Sequence, residues 1–266
     1  MLWERLEILL LPRLLVLRRA AMNRWRRDSI PARAETIEQA DGADWRIAVA
    51  ALGKVLEREA RHGTRVHLAL SDLWVRSCLM PVASTNLNED EMQRLAQAHV
   101  ARQYPETGQD KWTFRLAVQG RHLLAAGMES GLLDAVRESS AKAGAQLGRM
   151  EPLFGWVYDR FDKALAGSTG WMLLDEPGML SLAFIEQGRL ASLHCQRCEG
   201  EQVEIAVRLL ERQSALLAQP SVEVRVFSVE ARPLKLPPPW RVVLQQRIFD
   251  VDDAANLSSD PMPVSR

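Results

Sequence analysis

The chain reads as a mixed α/β protein, and three observations carry that reading. Stretches whose apolar residues alternate with polar ones, such as Arg65–Leu70, are interleaved with stretches of helical period, such as Asp44–Arg61. Clusters of Gly, Pro, Ser and Asn separate them. With 266 residues, 47% hydrophobic and 26% charged, the chain has material for one large or two small cores and is not of disordered composition.

The first element is a buried β-hairpin, Arg5–Leu11 and Arg13–Arg19, turning near Pro12. Its leucine run is broken by Glu7, Pro12 and Arg13 and falls far below the roughly 18–20 apolar residues that span a bilayer. The acidic start, Glu4 and Glu7, is not that of a secretory signal. A basic run follows, Arg18, Arg19, Arg24, Arg26 and Arg27 around Trp25. It serves either as a charged strand edge that resists aggregation or as a contact for acidic lipid or nucleic acid, and the first is the commoner use.

Asp44 caps a helix to about Arg61, with Ile47, Val49, Ala50, Leu52, Val55 and Leu56 as apolar positions, ending before Gly63. Arg65–Leu70 and Trp74–Met80 form a strand pair. Asn88 or Asn86 opens an amphipathic helix from Glu89 to about Gln103, with acidic residues in its first turn where the helix dipole favours them. Trp112–Val118 and His122–Met128 make a hairpin around Gln119-Gly120-Arg121. Helices over Gly131–Leu147 and Leu153–Leu165 follow, and the loop Ala166–Gly170 is the best candidate boundary. Beyond it come a meander (Trp171–Asp175, Met179–Glu186, Arg189–His194), a helix (Glu201–Leu217) and a strand (Ser221–Phe227). A linker stiffened by Pro233 and Pro237-Pro238-Pro239 leads to a last short element, Trp240–Gln246. The acidic tail, 250–266, is of disordered composition.

Charge and cysteine counts exclude function classes. Lys and Arg total 34 and Asp and Glu total 34, so no global positive field draws nucleic acid. Three cysteines, Cys78, Cys195 and Cys198, are too few for a disulfide framework and fit a reducing compartment. Cys195 and Cys198 form a CxxC with no second pair at zinc spacing. As a redox motif it belongs at the start of a helix, and the helix at Glu201 leaves that use open. No Walker loop, GxGxxG or GxSxG motif is present, and the five histidines show no ligand spacing.

The order of these elements resembles a known family. Val66–Met80 followed by Pro81, the acidic-start helix Asn88–Tyr104 and Trp112–Leu116 is similar to the PilM family, the actin-like cytoplasmic proteins of type IV pilus assembly. The cytoplasmic region of the type II secretion protein GspL is similar as well. Leu123–Gly127, Leu132–Leu147 and Pro152 continue the resemblance, and Trp171–Arg189 is similar to the hairpin that opens a second actin-like lobe. It implies an α/β, actin-like (ribonuclease H-like) fold of two lobes with mixed sheets. The first lobe takes 1–166 with a subdomain inserted at about 64–128, and a shortened second lobe takes 167–249.

Actin-like folds hold nucleotide phosphates in two hairpin turns whose glycines let backbone N–H groups approach. At the first, this chain has Leu10-Leu11-Pro12-Arg13-Leu14, with no glycine, no aspartate and no N–H at Pro12. At the second, Asp175 and Gly178 remain, but Glu176 and Pro177 stand between them, and an added carboxylate repels a triphosphate. Asp175 and Gly178 therefore read as a vestigial cofactor site. No ATPase activity is expected, and ATP with magnesium is the alternative cofactor.

The resemblance further implies that the first lobe captures a short cytoplasmic peptide of a single-pass inner-membrane assembly protein. Leu9, Leu11, Leu14, Trp74, Met80, Tyr104 and Trp112 are the candidate partner contacts. The function expected is a non-catalytic scaffold, cytoplasmic and peripheral at the inner membrane, with a homo-oligomer open and no nucleic acid partner. The alternatives are an ATP-binding assembly protein and a thiol or metal protein using Cys195 and Cys198.

Overall fold

A computed structural model of the chain describes residues 4–21, 32–38, 44–82, 87–103, 112–119, 121–217, 221–230 and 233–249. The basic run around Trp25, Tyr104 and the acidic tail lie outside the described residues.

The N-terminal hairpin forms as expected. β1 (Glu4–Leu10) and β2 (Leu14–Ala21) pair antiparallel, and Leu10 faces Leu15 across a turn at Pro12-Arg13. β3 (Arg33–Thr36) adds to β2. α1 (Trp45–Glu59) starts where Asp44 accepts a hydrogen bond from Arg46 N–H at 2.9 Å. Its buried face is Ala48, Val49, Leu52, Val55 and Leu56, whereas Ile47 is 42% exposed. Ala50 is exposed as well, so the buried stripe runs through Ala48 and not through Ile47 or Ala50.

β4 (Arg65–Leu70) and β5 (Val75–Pro81) do not pair with each other. β4 lies in a five-stranded sheet of order β3-β2-β1-β4-β8, and β5 is an edge of a three-stranded sheet of order β5-β7-β6. The tight turn at Ser71–Trp74 hands the chain from one sheet to another, a change that apolar alternation alone does not encode.

α2 (Glu89–Gln103) opens with a reciprocal capping box. Asn88 Oδ1 accepts from Glu91 N–H at 2.9 Å, and Glu91 Oε2 accepts from Asn88 N–H at 2.9 Å. Ala96 and Val100 of α2 pack with Phe114, Leu123 and Ala125 of the hairpin β6 (Trp112–Gln119) and β7 (His122–Glu129). A Cβ on Gly127 would stand 2.5 Å from the Phe114 ring, so this pair of strands requires a residue without a side chain there.

α3 (Ser130–Lys142) stops well before Leu147. Gly144 takes φ +67, a conformation that ends a helix cheaply only at glycine, and β8 (Gln146–Pro152) follows as a strand of the first sheet. The expected single helix over Leu153–Leu165 divides at Phe161 into α4 (Leu153–Arg160) and α5 (Asp162–Leu165).

The second five-stranded sheet contains β9 (Gly170–Glu176), β10 (Met179–Glu186), β11 (Arg189–Arg197), β12 (Glu223–Ser228) and β13 (Arg241–Arg247), with α6 (Gln202–Ser214) between β11 and β12. Its order is β11-β10-β9-β12-β13. In chain order both sheets therefore run 3-2-1-4-5, each with a helix between its third and fourth strands, so one topology occurs twice. Trp171 anchors the second core. It is fully buried, meets Phe184 edge to face at 5.0 Å, and donates its indole N–H to Ser221 O at 2.9 Å.

Two compact units result, both discontinuous in sequence. One comprises 1–68, 137–150 and 249–266, and the other 69–136 and 151–248. The first holds the N-terminal hairpin and α1. The second holds the three-stranded sheet with α2 and the whole second five-stranded sheet.

Candidate functional site

The strands β9 and β10 meet in a two-residue turn, Pro177-Gly178, with Glu176 opposite Met179 and Asp175 opposite Leu180. Proline fixes the first turn residue and Gly178 supplies φ +82 at the second. Glu176 therefore does not enter the turn. It is the last residue of β9, and its carboxylate is turned into the interior, 1% exposed.

Glu176 is consumed by structural hydrogen bonds. The Ser71 hydroxyl donates to Oε1, and Asp72 N–H donates to Oε2 at 3.0 Å. Asp72, also buried, accepts from Ser181 Oγ at 2.9 Å and from Phe154 N–H at 3.3 Å. Cys195 Sγ lies 3.4 Å from that same serine oxygen. The serine has one hydrogen for two acceptors, Asp72 Oδ2 and Cys195 Sγ. Burial pushes the Asp72 and Glu176 carboxyls well above the ordinary carboxylate range, and the neighbouring Asp72 charge raises Glu176 further. This cluster pins the Ser71–Trp74 turn and the N-terminus of α4 to the β9–β10 hairpin. The sequence did not mark Ser71, Asp72 or Ser181; the one signal for the first two was a polar pair, Ser71-Asp72, directly after an apolar strand.

Asp175 behaves differently. Its Oδ2 accepts from Ser228 Oγ at 3.4 Å and its carbonyl accepts from Val229 N–H at 3.1 Å. Its Oδ1 is buried and meets no hydrogen-bond donor among the described residues. Burial, then the charge of Glu230, pushes its carboxyl up to about 6. Asp175 and Gly178 border a cleft of about 630 Å³, closed on its other sides by the entry to α6 at Glu201–Val203, by Glu230, and by Pro233–Lys235. Asp175 and Gly178 thus do share one concavity, and Glu201, Glu230 and Lys235 are the members the sequence left unmarked.

The other candidates are dispersed. Leu9, Leu11, Trp74 and Met80 are core residues, each 6% exposed or less. Leu14 and Trp112 are half-buried, and Tyr104 lies outside the described residues. At the first turn, Leu11 N–H donates to Leu14 O at 2.9 Å, and Leu9, Leu10 and Leu11 fill the interior behind it. Cys195 sits within β11, and Cys198 just beyond it, four residues before α6. Burial pushes Cys198 up to about 12 and Cys195 higher, the opposite of the lowered value a redox CxxC needs. Among the described residues no group of three or more His, Cys, Asp or Glu is placed to hold a metal ion, and no helix is long and apolar enough to cross a membrane.

Several proteins of known structure share this architecture. A Bacteroides thetaiotaomicron protein described as having an actin-like ATPase fold and unknown function superposes with a TM-score of 0.61 at 12% identity, over 85% of this chain and 81% of that one. The cytoplasmic domain of EpsL, an inner membrane component of the type II secretion system of Vibrio cholerae, gives 0.58 at 9% identity over 92% and 89%. A PilM–PilN type IV pilus biogenesis complex gives 0.57 at 14% identity over 86% and 81%. No family model and no curated protein matches the sequence. The fold is actin-like, as the element order implied.

Proposed function

We propose that the chain is a non-catalytic adaptor of a type IV pilus or type II secretion-like assembly platform. In this reading it works in the cytoplasm against the inner membrane and docks a short cytoplasmic peptide of a single-pass partner. The observation that carries the non-catalytic part is the fate of Glu176. The hairpin where an actin-like protein would cradle phosphate directs one carboxylate into a structural cluster and leaves three more, Asp175, Glu201 and Glu230, around the adjoining cleft, with Lys235 the one cation among the described residues that line it. Phosphate oxygens brought there meet like charge, which is unfavourable unless a metal offsets it. The first turn adds Pro12, which has no N–H to give. The platform assignment is supported by likeness of fold to the EpsL domain and to the PilM–PilN complex.

Calorimetric titration of the full chain with Mg-ATP tests the proposal. Absence of binding at millimolar nucleotide is expected, and micromolar affinity overturns it. One observation favours a second reading, an ATP-binding assembly protein: Asp175 Oδ1 has no donor among the described residues and stands two residues before the Pro177-Gly178 turn. Loss of assembly by a folded Asp175→Ala variant, together with nucleotide binding by the parent chain, selects that reading.

A further inference from the structure

The cleft beside the β9–β10 turn has the wrong charge for phosphate and the right charge for something else. Among the described residues that line it, Asp175, Glu201 and Glu230 are set against Lys235. Asp175 is only 7% exposed, yet its Oδ1 meets no donor among the described residues. A carboxylate oxygen left in that state is destabilising, and a ligand that restores a charged donor recovers the loss. Val203, Pro233 and Leu234 give part of the wall an apolar surface, which suits a methylene stem rather than a bare ion. An arginine or lysine side chain combines the two features, a cationic donor head on an aliphatic stem.

We propose that this cleft seats an arginine or lysine side chain from the cytoplasmic segment of the partner. The source of that side chain rests on the adaptor reading. A segment next to a membrane span on its cytoplasmic side carries an excess of Lys and Arg, so the partner's chemistry complements the cleft's. Its volume of about 630 Å³ exceeds one side chain and admits the neighbouring residues of an extended peptide. The cleft is then a specificity pocket of reversed polarity, in which the carboxylates that repel nucleotide select a basic peptide.

The full chain is titrated by calorimetry with two blocked heptapeptides that differ only in carrying Arg or Glu at the central position, and with Mg-ATP. The arginine peptide is expected to bind and the glutamate peptide not to. Asp175→Asn and Glu230→Gln are each expected to weaken the arginine peptide about tenfold, and Glu230→Lys to abolish its binding. Glu230 is exposed, so its variants report even where Asp175→Asn fails to fold. Equal binding of the two peptides, binding of neither, or no effect of the Glu230 variants overturns the assignment of the cleft and leaves the adaptor reading standing. Micromolar Mg-ATP binding overturns both.

Discussion

Replacing Glu176 by Gln isolates the buried carboxylate cluster and has a calculable consequence for stability. In the folded chain Asp72 and Glu176 hold protons at pH values where the unfolded chain has released both, because burial raises both groups and the charge of Asp72 raises Glu176 further. Each proton so retained makes stability fall by about 1.4 kcal/mol per pH unit. The stabilisation is complete below the ordinary carboxylate range and is lost as pH rises through the raised values. One retained proton amounts to about 2–3 kcal/mol between pH 5 and pH 7, or about 5–10 °C in Tm for a chain of this size. The amide removes one titrating group and leaves Asp72 raised by its burial, against which the donors Ser181, Phe154 and Leu153 work. It also offers one acceptor oxygen to two donors, Ser71 Oγ and Asp72 N–H, which costs about 1 kcal/mol. The variant is therefore expected to be less stable than the parent at pH 5 and equal or more stable at pH 8, so that the two curves cross. Urea unfolding at pH 5, 6, 7 and 8 measures this. The difference between the two proteins is the informative quantity, since His67, His99 and His194, which burial lowers, titrate alike in both. Parallel curves over that range would refute the reasoning.

Three further outcomes follow from local geometry. Asn88→Ala removes the side-chain half of the capping box at α2, the acceptor of the Glu91 N–H, and is expected to cost about 1 kcal/mol in urea unfolding, with amide exchange speeding first in the turn around Glu91. Gly127→Ala drives a methyl group into the Phe114 ring and is expected to cost about 1–3 kcal/mol, partly restored in the double variant with Phe114→Leu; equal loss in single and double variants counts against the contact. Titration of the native chain with an aromatic disulfide reagent at pH 8 is expected to leave Cys78 and Cys195 unreacted until denaturant is added, and fast reaction of Cys195 would reopen a thiol chemistry for the CxxC.

Local signals placed the elements well wherever the chain obeys one period from cap to cap. α2 is bounded as expected because Asn88, three acidic residues and the final Arg102 all act within the helix itself. The hairpin β6–β7 and the meander β9–β11 follow likewise from alternation closed by turn residues. The failures are of another kind. The expected helix to Leu147 takes in the first two residues of β8 and leaves the rest as a link, because Gln146–Pro152 is half exposed and lacks a buried alternation; it is a strand because β4 offers it an edge. The pairing of β4 with β5 failed because neighbours in sequence were assigned to one sheet, while the Ser71–Trp74 turn sends them to two. In the site, Asp175 and Gly178 were legible because a turn needs glycine and a carboxylate is conspicuous beside it. Glu176 was legible as an oddity but not as a structural group, since its partners Ser71 and Asp72 stand more than 100 residues earlier in the chain.

The repeated 3-2-1-4-5 topology gives the cleft its origin. In the first sheet the fourth and fifth strands, β4 and β8, are separated by β5, α2, β6, β7 and α3. In the second, β12 and β13 run parallel, and only residues 229–240 lie between them. A parallel connection must still travel back along the sheet, which usually takes a helix. Here a proline-rich strap does it, held by Leu234 and Trp240, which join the core of Trp171, Leu209 and Val226. The same strap contributes Glu230, Pro233, Leu234 and Lys235 to the cleft beside Asp175. The segment that joins β12 to β13 is thus also the segment that furnishes the cleft with a further carboxylate and an apolar wall. A helix placed between β12 and β13 would take away the carboxylate and the apolar wall that this strap gives the cleft.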